Sequence, residues 1–207
     1  MNQIIGIVDY GVGNIGSIQN MIRRLGGESF IVNNKQAVLA ANKLILPGVG
    51  HFDHGMNKLI ERDLVNPLKL YMEFYRKPLL GICLGAQLLT KRSEEGKLDG
   101  LGYFNAEVLH FSKLFHSSNI RVPHMGWNYV HFENDGRLLL NLPEKSKFYF
   151  VHSYYISSKE ESEVLCTCDY GYQFVAGLHK NNVWAVQFHP EKSHKYGMQL
   201  LQNFMNL

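Results

Sequence analysis

The chain has 207 residues, 45% of them hydrophobic, and three cysteines; that is enough apolar material for one α/β domain with a full core, and too few cysteines for a disulfide framework. Its 21 basic and 18 acidic side chains leave a net charge of +3. The basic ones never run longer than the pairs Arg23-Arg24, Arg76-Lys77 and Lys91-Arg92, which excludes a nucleic-acid footprint built on a basic stripe. No apolar run reaches the roughly 18 residues of a membrane span, and no basic leader precedes Ile4-Ile5-Gly6-Ile7-Val8. The expectation is a cytoplasmic protein with no membrane or nucleic-acid partner. The ten histidines are scattered, and the tightest group, His51-Phe52-Asp53-His54, has no further ligand beside it, so no metal and no cofactor are expected.

Ile4 to Val8 is a short apolar run ending at Asp9, the shape of a buried parallel strand. Tyr10 to Asn14 is a turn, and Ile15, Ile18, Met21, Ile22 and Leu25 recur at helical spacing until Gly26-Gly27 stops the helix. Ser29 to Val32 reads as a second strand, Ala37 to Ala41 as a short helix or turn, and Lys43 to Leu46 as a third strand closed by Pro47-Gly48-Val49-Gly50. Helices are predicted around Met56 to Ile60 and Leu68 to Tyr75, then a strand at Leu79 to Ile82 and a helix after Cys83. Strands alternating with helices predict a flavodoxin-like α/β fold with a mostly parallel central sheet flanked by helices. Further strands are expected at Gly102 to Phe111, Tyr129 to Phe132, Lys147 to His152, Val164 to Asp169, Phe174 to His179 and Val183 to Phe188, with a final helix at Tyr196 to Phe204. With no low-complexity linker and no repeat, residues 1–207 are expected to form one domain.

The centre of the chain is Leu79-Leu80-Gly81-Ile82-Cys83-Leu84-Gly85-Ala86-Gln87-Leu88-Leu89. An apolar strand runs through a cysteine flanked by small residues into an amphipathic helix. This is the strand-to-helix elbow of G-x-S-x-G with sulfur in place of oxygen. At a helix N-terminus, free N–H groups favour a thiolate and can receive an oxyanion. A buried structural cysteine is the alternative, and Cys166 and Cys168, in a strand-like run, read that way. A nucleophile needs a base, and the base needs an orienting group. Ala185-Val186-Gln187-Phe188-His189-Pro190-Glu191 supplies both: His189 at a strand end and Glu191 two positions on. His152 is the rival base, without a neighbouring carboxylate. The turn Pro47 to Gly50 can present backbone N–H groups to an anion. In a parallel sheet the strand ends at Asp9, Leu46, Ile82 and Phe188 fall on one rim.

Together these residues resemble the class I (triad) glutamine amidotransferases. Gly81-Ile82-Cys83-Leu84-Gly85-Ala86-Gln87 is similar to that family's nucleophile motif, and Gln187-Phe188-His189-Pro190-Glu191 to its His-Glu motif. Asp9 to Asn14, Leu46 to Gly50, Pro123-His124-Met125-Gly126-Trp127-Asn128, Tyr149 to Tyr154 and His189 to Ser193 resemble the glutaminase subunits of imidazole glycerol phosphate synthases, over nearly the whole chain. The resemblance implies that Cys83 attacks the amide of L-glutamine, that His189 is its base, and that Glu191 orients His189. It implies an oxyanion hole near Val49, Gly50 and Leu84, and substrate contacts from Gln87, Ser153 and Tyr154. It also implies a heterodimer with a (β/α)8-barrel cyclase that uses the ammonia in histidine biosynthesis, with Asn14, Trp127, Asn128 and Lys192 near that partner. Trp127 could equally be a core aromatic. Ala86 stands where the family often has methionine, and His116-Ser117-Ser118-Asn119 has no functional reading. The same chemistry could instead supply ammonia for amidination of a surface-polysaccharide sugar, or the fold could persist as an idle regulatory subunit.

Overall fold

The computed structural model describes residues 4–114, 121–133 and 136–207; the stretch His116-Ser117-Ser118-Asn119 lies outside them. β1 (Ile5–Val8), β3 (Lys43–Leu46) and β4 (Leu79–Ile82) are buried at every position, which is why they read as unbroken apolar runs. β2 (Ser29–Val32) is the edge strand and is only partly covered. The helices between them are α1 (Ile15–Arg24), α2 (Lys35–Ala40), α3 (Phe52–Glu61) and α4 (Val65–Glu73). Asn14 and Asn34 cap α1 and α2 by accepting from the N–H groups of Ser17 and Ala37, at 3.3 and 2.9 Å. At the end of α1 the N–H groups of Gly26 and Gly27 return to the carbonyls of Arg23 and Ile22, with Gly26 at φ +78°.

After β4 come α5 (Leu84–Leu88), β5 (Arg92–Ser93), β6 (Ala106–His110), β7 (His124–Phe132), β8 (Lys147–His152), β9 (Tyr154–Ser158), β10 (Val164–Asp169), β11 (Gln173–Lys180), β12 (Val183–Val186) and α6 (His194–Met205). The main sheet runs β2-β1-β3-β4-β12-β11-β10-β7-β8. It is parallel from β2 to β12 and antiparallel beyond, so the parallel half is the one expected from the strand–helix alternation. Successive residues alternate between two cores: Leu44 and Leu46 face one, Ile45 and Cys83 the other.

Several elements depart from the sequence reading: β6 begins at Ala106 rather than Gly102, and β12 stops at Val186 rather than Phe188, three residues before His189. β7 begins at His124 rather than Tyr129, because Pro123 and Gly126 look like strand breakers; Gly126 is accommodated inside the strand at φ +134°. β9 was not expected: only Ser153 separates it from β8, and the chain switches from pairing with β7 to pairing with β6 without a turn signal. β5 has two residues, too few for any periodicity.

α6 presses on the turn 190–192, and a Cβ at Gly197 would lie 1.8 Å from the Pro190 carbonyl oxygen. Gly→Ala in an open helix position gains up to about 1 kcal/mol, but overpacking costs about 1–3 kcal/mol. Gly197→Ala is therefore expected to lower the free energy of unfolding in urea, whereas Gly16→Ala, with nothing within 4 Å, is expected to raise it.

Candidate active site

The parallel register places Ile82 beside Val186 and Leu46 beside Gly81, so the chain leaves three neighbouring strands at Pro47, Cys83 and Gln187 on one rim. Cys83 is pinned by its N–H to the Val186 carbonyl at 2.8 Å and takes φ +52°, ψ −110° at the start of α5. Such a conformation costs a non-glycine residue about 1–3 kcal/mol and persists only where its surroundings enforce it. The enforcing contact is close backbone approach. A Cβ on Gly85 would lie 1.9 Å from the Leu46 carbonyl oxygen, and one on Gly48 would lie 2.8 Å from the Gly85 nitrogen. Buried Tyr10 holds the same turn by donating to the Pro47 carbonyl at 2.6 Å. Burial, with Cys83 nearby, pushes its phenol well above the ordinary value.

His189 is 1% exposed, and its Nδ1 meets Glu191 Oε1 at 2.7 Å. The ring's Nε2 is buried without a partner in hydrogen-bond geometry. Burial opposes the imidazolium, but the adjacent Cys83 sulfur, together with Glu191, outweighs it and raises the pKa to about 10. A positively charged ring beside sulfur is the pairing that stabilises a thiolate. This contribution to stability is complete below pH 6.5 and fades as pH rises through about 10.

A cavity of about 170 Å³ opens on this pair. Its wall brings together Cys83, His189, Val49, Gly50, Leu84, Gln87, Ser153 and Tyr154, all singled out in the sequence, with Glu95, Val151 and His152 added. Gly50 sits at φ +96° with open space where a side chain would be. Glu95 accepts from the Phe52 N–H at 2.8 Å and so caps α3 at the cavity's edge. Sequence reasoning missed Tyr10, Glu95 and the side chain of Gln187, whose partners lie far away along the chain. The group His51-Phe52-Asp53-His54 is local structure: His51 caps α3, and Asp53 accepts from the N–H groups of Lys97 and Leu98.

His152, the rival base, is committed elsewhere. Its Nδ1 meets the Tyr154 carbonyl at 2.7 Å and its Nε2 meets Nδ1 of His124 at 3.0 Å. Burial depresses His124 to about 4 and His152 to about 3, so both are neutral at pH 7. Cys166 and Cys168 are free, buried and shifted upward by burial.

Of the residues expected near a partner, Asn14, Trp127 and Lys192 are exposed and Asn128 is half-buried. Trp127 is 43% exposed and stacks on His194 at 5.1 Å, so it is not a core aromatic. Met125, Trp127 and Tyr129 line one face of β7. Lys192 lies over the Tyr149 ring at 5.7 Å, Asn14 caps α1, and Asn128 donates to the Asp169 carbonyl at 2.7 Å. Among the described residues no helix is long and apolar enough to cross a membrane.

The neutral histidine pair sets an acid limit. Below pH 6.5 the unfolded chain binds protons at both imidazoles, while the native state refuses them until about pH 4 and 3. Each imidazole thus contributes a loss of up to ~1.4 kcal/mol per pH unit in that window. Urea unfolding at pH 7, 6 and 5 is expected to show the decline, and His124→Phe should reduce its slope; an unchanged slope would remove this account.

The family described as Glutamine amidotransferase class-I matches residues 6–207. The chain is 50% identical to imidazole glycerol phosphate synthase subunit HisH 2 of Methanococcus maripaludis over 202 residues, covering 98% of each protein. It is 45% identical to the subunit HisH 2 of Pseudomonas aeruginosa, over 99% of this chain and 100% of that one. Among solved structures, a glutamine amidotransferase superposes with a TM-score of 0.75 at 20% identity, over 98% of this chain and 97% of the other. PurLQS from Thermotoga maritima gives 0.73 at 19% identity, over 100% and 99%; these two likenesses carry the fold alone. The chain belongs to the class-I glutamine amidotransferase family, in the branch that holds the imidazole glycerol phosphate synthase subunits.

Proposed function

We propose that residues 1–207 work as one glutaminase domain in which Cys83, His189 and Glu191 hydrolyse glutamine to glutamate and ammonia for imidazole glycerol phosphate synthesis. The observation that carries this reading is the buried His189, held on one side by Glu191 at 2.7 Å and sharing the wall of one cavity with Cys83. The Cys83 sulfur attacks the amide carbon, and the carbonyl oxygen becomes an oxyanion. Backbone N–H groups at Leu84 and in the turn Val49-Gly50 receive it; one such donor is worth roughly 3–4 kcal/mol. The C–N bond then breaks, His189 delivers its proton to the leaving ammonia, and a thioester remains. His189 next takes a proton from water, which attacks the thioester and releases glutamate. The thioester divides one hard step into two easier ones. Gln87, Ser153 and Tyr154 line the cavity where glutamine would be held.

Free ammonia is mostly protonated in neutral water, so a synthase gains by generating it inside a sealed interface. The partner in this reading is a (β/α)8-barrel cyclase, joined one-to-one. It uses the ammonia to form imidazole glycerol phosphate and an aminoimidazole carboxamide ribotide from a phosphoribulosyl precursor. The exposed apolar row Met125, Trp127 and Tyr129, with Lys192 over the Tyr149 ring that Trp127 meets edge-on, suits such a contact.

Glutamate release is expected to rise strongly when the cyclase and its phosphoribulosyl ligand are added, and Cys83→Ser should abolish it by about 10³-fold or more. Absence of stimulation, with Cys83 still labelled by a glutamine-like affinity reagent, would move the partner assignment to a sugar-amidinating system. Trp127→Ala is expected to weaken the complex by about 2 kcal/mol or more in calorimetric titration; unchanged affinity would take Trp127 out of the interface.

A further inference from the structure

We infer that the side-chain amide of Gln187 is a hydrogen-bond donor to the Cys83 sulfur, and that its orientation is imposed through Gln87 by the Tyr154 carbonyl, whose other hydrogen bond comes from the His152–His124 pair. The inference rests on the reading of Cys83 as the nucleophile. It gives a role to a residue of the His-Glu motif that lies outside both the triad and the oxyanion turn.

The directions of these bonds follow from one atom. The Tyr154 carbonyl oxygen can only accept, and it has two neighbours: Nδ1 of His152 at 2.7 Å and Nε2 of Gln87 at 3.3 Å. His152 Nδ1 therefore carries its hydrogen. In a buried, neutral ring the other nitrogen is then bare, so His152 Nε2 accepts from Nδ1–H of His124 at 3.0 Å. On the other side, the Gln87 nitrogen that serves Tyr154 also donates to Gln187 Oε1 at 3.0 Å. This turns the Gln187 nitrogen toward Cys83 Sγ, 3.8 Å away. A flipped Gln187 would set two NH₂ groups against each other and an oxygen against the thiolate, replacing two attractions by two repulsions. Gln187 is fully buried, and its own N–H is fixed to the Ala176 carbonyl at 2.8 Å, so the amide has no competing water.

A neutral thiol accepts hydrogen bonds weakly and a thiolate strongly, so this donor favours the charged nucleophile. His189 and Tyr10 interact electrostatically with the same sulfur, and His152 and Glu95 are the other titratable groups on the cavity wall. His189 must give up its proton during the reaction. The amide of Gln187 does not titrate and holds the sulfur through every step.

The test is the pH profile of Cys83 alkylation by iodoacetamide, read by peptide mass on the full chain, with the buried Cys166 and Cys168 as internal references. Gln187→Met keeps the length and removes the donor. Its alkylation midpoint is expected about one pH unit above that of the parent chain, the tenfold effect of losing one hydrogen bond to a charged group. With the cyclase and its ligand present, kcat for glutamine is expected to fall about tenfold with KM unchanged within twofold. Superposed alkylation profiles would overturn the inference. Where Gln187→Met does not fold, Gln87→Met decides: it removes the donor that holds Gln187 Oε1, so the alkylation midpoint should shift upward. A midpoint equal to the parent's would overturn the inference. Cys83→Ser separates the two levels: retained turnover removes the nucleophile reading itself, whereas lost turnover with superposed profiles removes only the Gln187 chain.

Discussion

The site depends on the backbone contact between the turn 47–50 and the first turn of α5. Leu46, Gly48 and Gly85 approach so closely that a single Cβ at Gly85 would fall 1.9 Å from a carbonyl oxygen. That approach puts the turn 47–50 and a strained strand-to-helix elbow on the same rim. The strain at Cys83 is not stored by the elbow alone. It is sustained by the ladder bond to Val186, by Tyr10 under Pro47, and by the apolar cores on both faces of the sheet. Remove the close packing and nothing local would hold a cysteine at positive φ.

The histidines show how one fold assigns opposite charge states to one residue type. His189 and His152 both line the cavity and are both buried. His189 has a carboxylate at 2.7 Å and a sulfur on its other side, and carries a proton well past neutrality. His152 has a carbonyl and a second histidine, and carries no charge even in moderate acid. Burial is common to both; the partners decide. The charge is thereby confined to the ring that faces the sulfur, and the neutral pair serves as a directional hydrogen-bond element.

The face of β7 supplies the other half of the design. Inward it places His124 against Phe150 and Tyr170, with ring centroids 4.7 and 3.9 Å apart, which locks that member of the histidine pair in aromatic packing. Outward, at the next alternate positions, it leaves Met125, Trp127 and Tyr129 at the surface. A strand with period-two geometry can do both because neighbouring side chains point to opposite faces. The same strand therefore belongs to the interior of the site and to a surface suited to a partner.

Much of this was legible in the residue order. Short apolar runs marked β1, β3 and β4, the cysteine between glycine-rich flanks marked the elbow, and the two-residue step from His189 to Glu191 marked an ion pair, because each depends on neighbours along the chain. The motifs also carried the family resemblance. What the residue order did not reveal involves partners distant in sequence or signals that conflict locally. Pro123 and Gly126 hid the start of β7, and the lack of a turn hid β9. Tyr10 finds Pro47, Glu95 finds Phe52, and Gln187 finds Gln87 and Cys83 across 100 residues or more. The exposure of Trp127 likewise depends on which sheet face is left uncovered. Local backbone chemistry fixes a strand or an elbow, but the direction of a buried hydrogen bond is decided only when the folded sheet sets a particular acceptor opposite a particular donor.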